Sequence, residues 1–98
     1  MVSKECVRSD LRDIRYYYAR KKELDNAALY VGILPIKRTA ERYNCVMREA
    51  PLKLCDLYAC LYLRGQTQEA VAIELGYTPQ YIGKLVVELI NYLSEKLN

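Results

Sequence analysis

The chain of 98 residues has no histidine, no phenylalanine and no tryptophan, and only four glycines and three prolines. Each absence removes a class of function. Without histidine there is no Ser–His or Cys–His nucleophile, and a histidine-containing zinc site is excluded. The cysteines Cys6, Cys45, Cys55 and Cys60 form no C-x-x-C pair, so a four-cysteine metal site is not expected either. They read as buried small hydrophobes, kept as free thiols in a reducing cytoplasm. No glycine-rich phosphate cradle and no spaced acidic metal cluster is present. Asp10, Asp13, Glu69 and Glu74 look like charges on helix surfaces. No enzyme, cofactor or metal is therefore expected. Arg, Lys or Glu interrupts every apolar run before it reaches membrane-spanning length, and no apolar signal segment is recognised, so a cytoplasmic protein without membrane contact is the expectation.

What is present points to helices. Hydrophobic residues make up 52% of the chain, ample for a core, and ten tyrosines stand where phenylalanine and tryptophan are missing. Tyrosine packs its ring while keeping its hydroxyl near water, which predicts a thin core with amphipathic edges. Scarce glycine and proline, with little β-branched alternation, predict an all-α fold. At this length the fold is one small helical bundle, or a domain with a helical extension. Net charge is +3, unevenly placed. Residues 1–22 carry Lys4, Arg8, Arg12, Arg15, Arg20, Lys21 and Lys22 against Glu5, Asp10 and Asp13. From Gln66 onward the chain is net negative, with Lys84 and Lys96 against Glu69, Glu74, Glu88 and Glu95.

In chain order, Ser3 is placed to cap a long first helix running to about Tyr30. Val7, Leu11, Ile14 and Tyr18 form a short heptad-like stripe, either a dimer seam or a face packed on the same chain. Tyr16, Tyr17 and Tyr18 point about 100° apart on a helix and make no common stacking platform. A solvated basic face beside a buried tyrosine is the better reading. Val31 to Pro35 reads as a packed loop, which separates an N-terminal segment (1–34) from a helical domain (35–98). A helix from about Lys37 to Arg48 buries Ala40, Tyr43 and Met47. Another opens at Pro51, repeats Leu54, Tyr58, Leu61 and Tyr62, and ends at Arg64–Gly65.

The most informative stretch is R-G-Q-T-Q-E-A-V-A-I-E-L-G-Y-T-P-Q-Y-I-G-K-L-V-V-E-L-I-N-Y-L, from Arg64 to Leu93. Thr67 is placed to be an N-cap, and Ala70, Val71, Ile73 and Leu75 are expected to form a buried face, with Ala72 small enough for a helix to cross above it. Gly76 takes a positive φ at the corner, Thr78 caps the next helix and Pro79 is its first residue. Ile82, Leu85, Val86, Leu89, Ile90 and Leu93 then keep a helical period. This is the spacing of a helix-turn-helix over residues 67–93.

The run T-Q-E-A-V-A-I-E-L-G-Y-T-P-Q-Y-I resembles, without gaps, the pattern of sigma-factor region 4 and its relatives, which include LuxR-type response-regulator domains and small phage regulators. Thr67 matches the capping residue, Val71–Ala72 the Ile-Ala pair, Gly76 the turn glycine, Thr78 the second cap and Ile82 the buried anchor. The resemblance covers about half the chain, from Pro51 to Leu93. The layout, with a helical segment ahead of this unit, resembles small regulators of phages and mobile elements, including the ArpU-like ones. It implies a transcription regulator that binds double-stranded DNA, with the recognition helix 78–93 in the major groove. Pro79, Gln80, Tyr81 and Lys84 would face the bases, and Arg64, Thr67 and Thr78 would hold phosphates. Gly83 departs from the arginine or polar residue common in the family.

The alternative is a protein-interaction module that keeps the fold but binds RNA polymerase or another regulator. An isolated sigma factor is disfavoured, because nothing resembles the promoter-melting region. A homodimer is expected, through the stripe Val7, Leu11, Ile14 and Tyr18 in preference to a C-terminal surface around Val87, Ile90 and Leu97.

Overall fold

The computed structural model describes residues 2–31 and 35–97, the side chains of residues 28–31 excepted. It is an all-α bundle, with no strand among the described residues. The helices are α1 (Lys4–Ala19), α2 (Lys21–Val31), α3 (Pro35–Met47), α4 (Leu52–Tyr58), α5 (Gln68–Leu75) and α6 (Pro79–Lys96). A π-helical turn, Ala59–Leu63, prolongs α4.

Capping residues set most of the boundaries. The Ser3 side chain accepts from the Cys6 N–H, Thr67 from Ala70 and Thr78 from Tyr81, each at 3.1 Å. These satisfy amides that helix starts otherwise leave orphaned. Pro51 precedes α4, and Pro79 supplies the preset φ for the first turn of α6. At the corner Gly76 has φ +75°, the Tyr77 N–H donates to the Ala72 carbonyl at 2.9 Å, and the Gly76 N–H donates to Ile73 at 3.4 Å. That pair of bonds is a Schellman close, which requires the left-handed backbone that glycine adopts without strain.

The long first helix is not continuous. It breaks at Arg20, whose φ is −124° and whose N–H is shared between the Tyr16 and Tyr17 carbonyls. The bend is held by Asp25 on α2, which accepts from the Tyr17 hydroxyl at 2.7 Å and from the Lys21 ammonium at 2.8 Å. On a straight helix residues eight apart are about 12 Å apart, so the Tyr17–Asp25 bond belongs with the bend. The stripe shifts with it: the fourth buried residue is Tyr17, not Tyr18, which is half-buried. Of the loop expected at Val31 to Pro35, residues 32–34 lie outside the described residues, and Pro35 already begins α3.

The core is one cluster, to which α1, α3, α4 with its π turn, α5 and α6 all contribute. Ile82, Leu85, Leu89 and Leu93 of α6 are fully buried, each worth about 1.5–3 kcal/mol of transfer free energy. Val7, Leu11 and Ile14 lie in the same core, so the stripe proposed for a dimer seam is covered by the chain itself. The alternative surface fares no better, since Ile90 and Leu97 are buried and only Val87 is exposed. Ile73 was expected inside and is 83% exposed, whereas Ala72 is buried. With α5 only eight residues long, its buried face narrows to Val71 and Ala72 under the crossing helix. Cys6 and Cys45 are exposed, against the expectation of buried thiols, while Cys60 is buried and Cys55 partly so.

Tyrosine hydroxyls knit the rim of the core. Tyr43 donates to Asp10 at 2.7 Å, Asn44 donates to the Tyr18 oxygen at 2.7 Å, and Tyr58 donates to Asn44 at 2.8 Å. Phenylalanine at these places would leave Asn44 and Asp10 short of partners, the physical use of a tyrosine-only aromatic set.

Candidate nucleic-acid interface

α5 and α6 form a corner whose back is core and whose front is open. On α6 the buried positions Ile82, Leu85, Leu89 and Leu93 fix one side of the helix. Gln80 and Lys84, a turn apart, then fall on the opposite side, and both are exposed. Tyr81 lies on a flank, half open at 38% exposure, with its ring edge-to-face on Tyr77 at 4.8 Å between centroids. That contact orders a ring that would otherwise be free to rotate.

The two capping hydroxyls face solvent at the helix starts. Each accepts a backbone N–H, which leaves its own proton to donate outward. Pro79 is exposed beside Thr78. Thr67, Thr78, Pro79, Gln80, Tyr81 and Lys84 therefore lie on the α5 and α6 starts or the outer surface of α6, all solvent-accessible.

Arg64 sits differently. It ends the π turn, and its guanidinium lies 3.9 Å from Glu74 of α5, which also accepts from Gln66 at 2.9 Å. Both partners of the ion pair are largely exposed, so the bond is weak. A phosphate would have to compete with Glu74 for Arg64.

The sequence gives no hint of what stands behind Arg64. Within the π turn the Arg64 N–H reaches back to the Ala59 carbonyl at 2.9 Å. Gly65 follows with φ +70°, and its carbonyl accepts from the Arg15 guanidinium of α1 at 2.8 Å. A residue fifty positions away thus anchors the start of the helix-turn-helix. Past this anchor α1 runs along α6: Arg8, Leu11 and Arg12 line a groove of about 250 Å³ together with Tyr62, Val86 and Ile90. Burial raises the Tyr62 hydroxyl above its ordinary pKa, and the nearby Arg15 charge opposes that rise. The basic N-terminal residues thus stand beside the motif instead of apart from it. Their i, i+4, i+8, i+11 spacing was visible in the sequence, but not which helix they would flank.

No group of acidic residues and cysteines among the described residues is arranged to hold a metal ion. No helix among them is long and apolar enough to cross a membrane. Compared with protein families, curated proteins and solved structures, the chain matches none.

Proposed function

We propose that the protein binds double-stranded DNA through its α5–Gly76–α6 corner and regulates transcription, with the N-terminal half of α6 in the major groove. One observation carries this: the corner is capped, closed by a left-handed glycine and packed from behind, yet presents Gln80 and Lys84 to solvent. Such a rigid helix with a polar outer face fits a groove that admits one α-helix. Gln80 can pair bidentately with an adenine edge, Lys84 can reach a guanine or a phosphate, and Thr67, Thr78 and, in competition with Glu74, Arg64 would hold the phosphates that flank the groove. The resemblance of residues 67–82 to sigma region 4 supports the same reading.

Selection of duplexes from a random pool, followed by binding of Gln80→Ala and Lys84→Ala to the selected duplex, tests it. Gln80→Ala should relax base preference by about 1–3 kcal/mol at one position. Lys84→Ala should weaken binding, and lower its salt dependence where it meets phosphate. A pool that yields no preferred duplex would overturn a sequence-specific role.

A second reading has its own observation. Ile73 on α5 is almost fully exposed, and a bare isoleucine on this short helix favours a protein partner such as RNA polymerase. Ile73→Asp should then abolish capture of purified polymerase without touching duplex binding.

A further inference from the structure

Gly83 stands in the interior of α6, where glycine is the least favourable residue after proline. Nothing in the chain requires it there. A Cβ placed on Gly83 meets no atom within 4 Å, and its φ is not in the left-handed region. On the helix it lies one turn before Val86 and in line with Ile90, the two α6 residues that line the groove against α1. The helical spacing thus puts Gly83 on the side of α6 that carries these two lining residues, one turn beyond them and between the buried side of α6 and the outer side that carries Gln80 and Lys84.

The opposite wall of that groove carries Arg8 and Arg12. Lys4 and Arg15 share their side of α1, the four falling within a strip about 80° wide, while Asp10 and Asp13 turn to the other flank. There Asp10 accepts from Tyr43 of α3. The Val2 N–H donates to the Ser94 carbonyl at 3.1 Å, and the Ser94 hydroxyl donates to the Val2 carbonyl. This pins the start of α1 to the end of α6, so the two helices run antiparallel. Moving from Arg8 to Arg15 then leads from Ile90 towards Gly83 and the start of the recognition helix. Glu5 borders the strip only at its far end. No ion pair engages Arg8, Arg12 or Arg15 among the described residues, and Arg15 is already held in place by the Gly65 carbonyl.

We infer that this groove is a cradle for one strand's sugar-phosphate backbone, with Gly83 as the point of closest approach and Arg8 and Arg12 as its cationic wall. The inference rests on the duplex-DNA reading above and adds to it a second binding element from the opposite end of the chain. It accounts for two features together. The recognition half is net acidic, yet it is supplied with positive charge by α1, and the helix keeps a glycine that its own packing does not need. A side chain at Gly83 would stand between the backbone and the helix axis, whereas an aliphatic wall alone would have no use for Arg8 and Arg12, which make no ion pair among the described residues.

The test uses the full chain and a short random-sequence duplex, titrated by fluorescence anisotropy across a salt series. The variants are Arg8→Gln/Arg12→Gln and Gly83→Ala, with thermal melts of each. The double arginine variant should melt like the parent and lower the slope of log K against log salt by about 1.8, the value for two lost phosphate contacts. Gly83→Ala should melt higher than the parent and bind several-fold more weakly, an opposition that loss of folding cannot produce. If both variants bind as tightly as the parent while Gln80→Ala or Lys84→Ala loses affinity, the cradle is wrong and the DNA reading stands. Loss in the arginine variant alone, with Gly83→Ala unimpaired, likewise overturns a backbone lying against Gly83. A parent chain that binds no duplex at low salt sinks both.

Discussion

Asp25 gathers two donors and a second ammonium: Lys21 at 2.8 Å, the Tyr17 hydroxyl at 2.7 Å, and Lys37 of α3 at 3.6 Å. The bond from Lys21, then that from Tyr17, hold its carboxyl down at about 2 against an ordinary 3.8. A carboxyl depressed in the fold stabilises it fully above the unfolded pKa and loses that contribution as pH falls through the folded one. The expected window is therefore pH 4 down to about 2. In Asp25→Asn the bend between α1 and α2 should loosen at neutral pH, and the acid-induced loss of helicity in that window should flatten. Circular dichroism across an acid titration reads both; an unchanged acid limb would show that Asp25 does not anchor the bend. Tyr17 is the counterpart, since burial and its bond to Asp25 raise its hydroxyl well above the usual value. It stays a neutral donor throughout that range.

At the scale of the element, the corner depends on one backbone angle. Gly76 has φ +75° with open space around it, so any cost of replacing it is backbone strain and not collision. A residue with a Cβ pays about 1–2 kcal/mol there, and a β-branched one more. Gly76→Val should accordingly lower the melting temperature by roughly 4–16 °C. Gly76→Asn should lose less, because asparagine tolerates the left-handed region. Equal melting of Gly76→Val and the parent would mean the corner relaxes without strain, and the rigid placement of α6 would fall with it. Ile73 leaves the buried stripe because of the length of its helix. Periodicity assigns it to a buried stripe, but α5 is two turns long and is crossed over Val71 and Ala72. A helix so short meets its neighbour at one point, and a residue one step round the helix remains in water.

In the whole molecule, α1 is part of the core and not an appendage. Val7 and Ile14 are fully enclosed and Leu11 nearly so. Ile14→Ala should cost about 2–5 kcal/mol in urea unfolding, as one transition that also reports the corner through α6. A separate early loss of α1, with α5 and α6 still folded, would contradict the single core. The paired substitution Leu11→Glu, Ile14→Glu is expected to unfold the chain, since it buries two charges without partners. Any self-association would have to use a face other than the stripe of α1 or the Ile90–Leu97 surface.

The helices, their caps and the corner were legible from Ser3, Thr67, Gly76, Thr78 and Pro79, because capping and left-handed turns are local events decided within four or five residues. The α6 core face was legible for the same reason, its apolar residues recurring once per turn over eighteen residues. The break at Arg20 was not, because Tyr17, Lys21 and Asp25 each suit an unbroken helix and only their joint hydrogen bonds, with Lys37 arriving from α3, favour a bend. Nor was the π turn, nor the fate of Val7, Leu11 and Ile14, whose spacing serves a dimer seam and an internal face equally. What decided these was which surfaces meet. Sequence periodicity fixes a helix's apolar side but not the neighbour that covers it, and burying that side against α3, α6 and the π turn is what carried the arginines of α1 to the flank of α6.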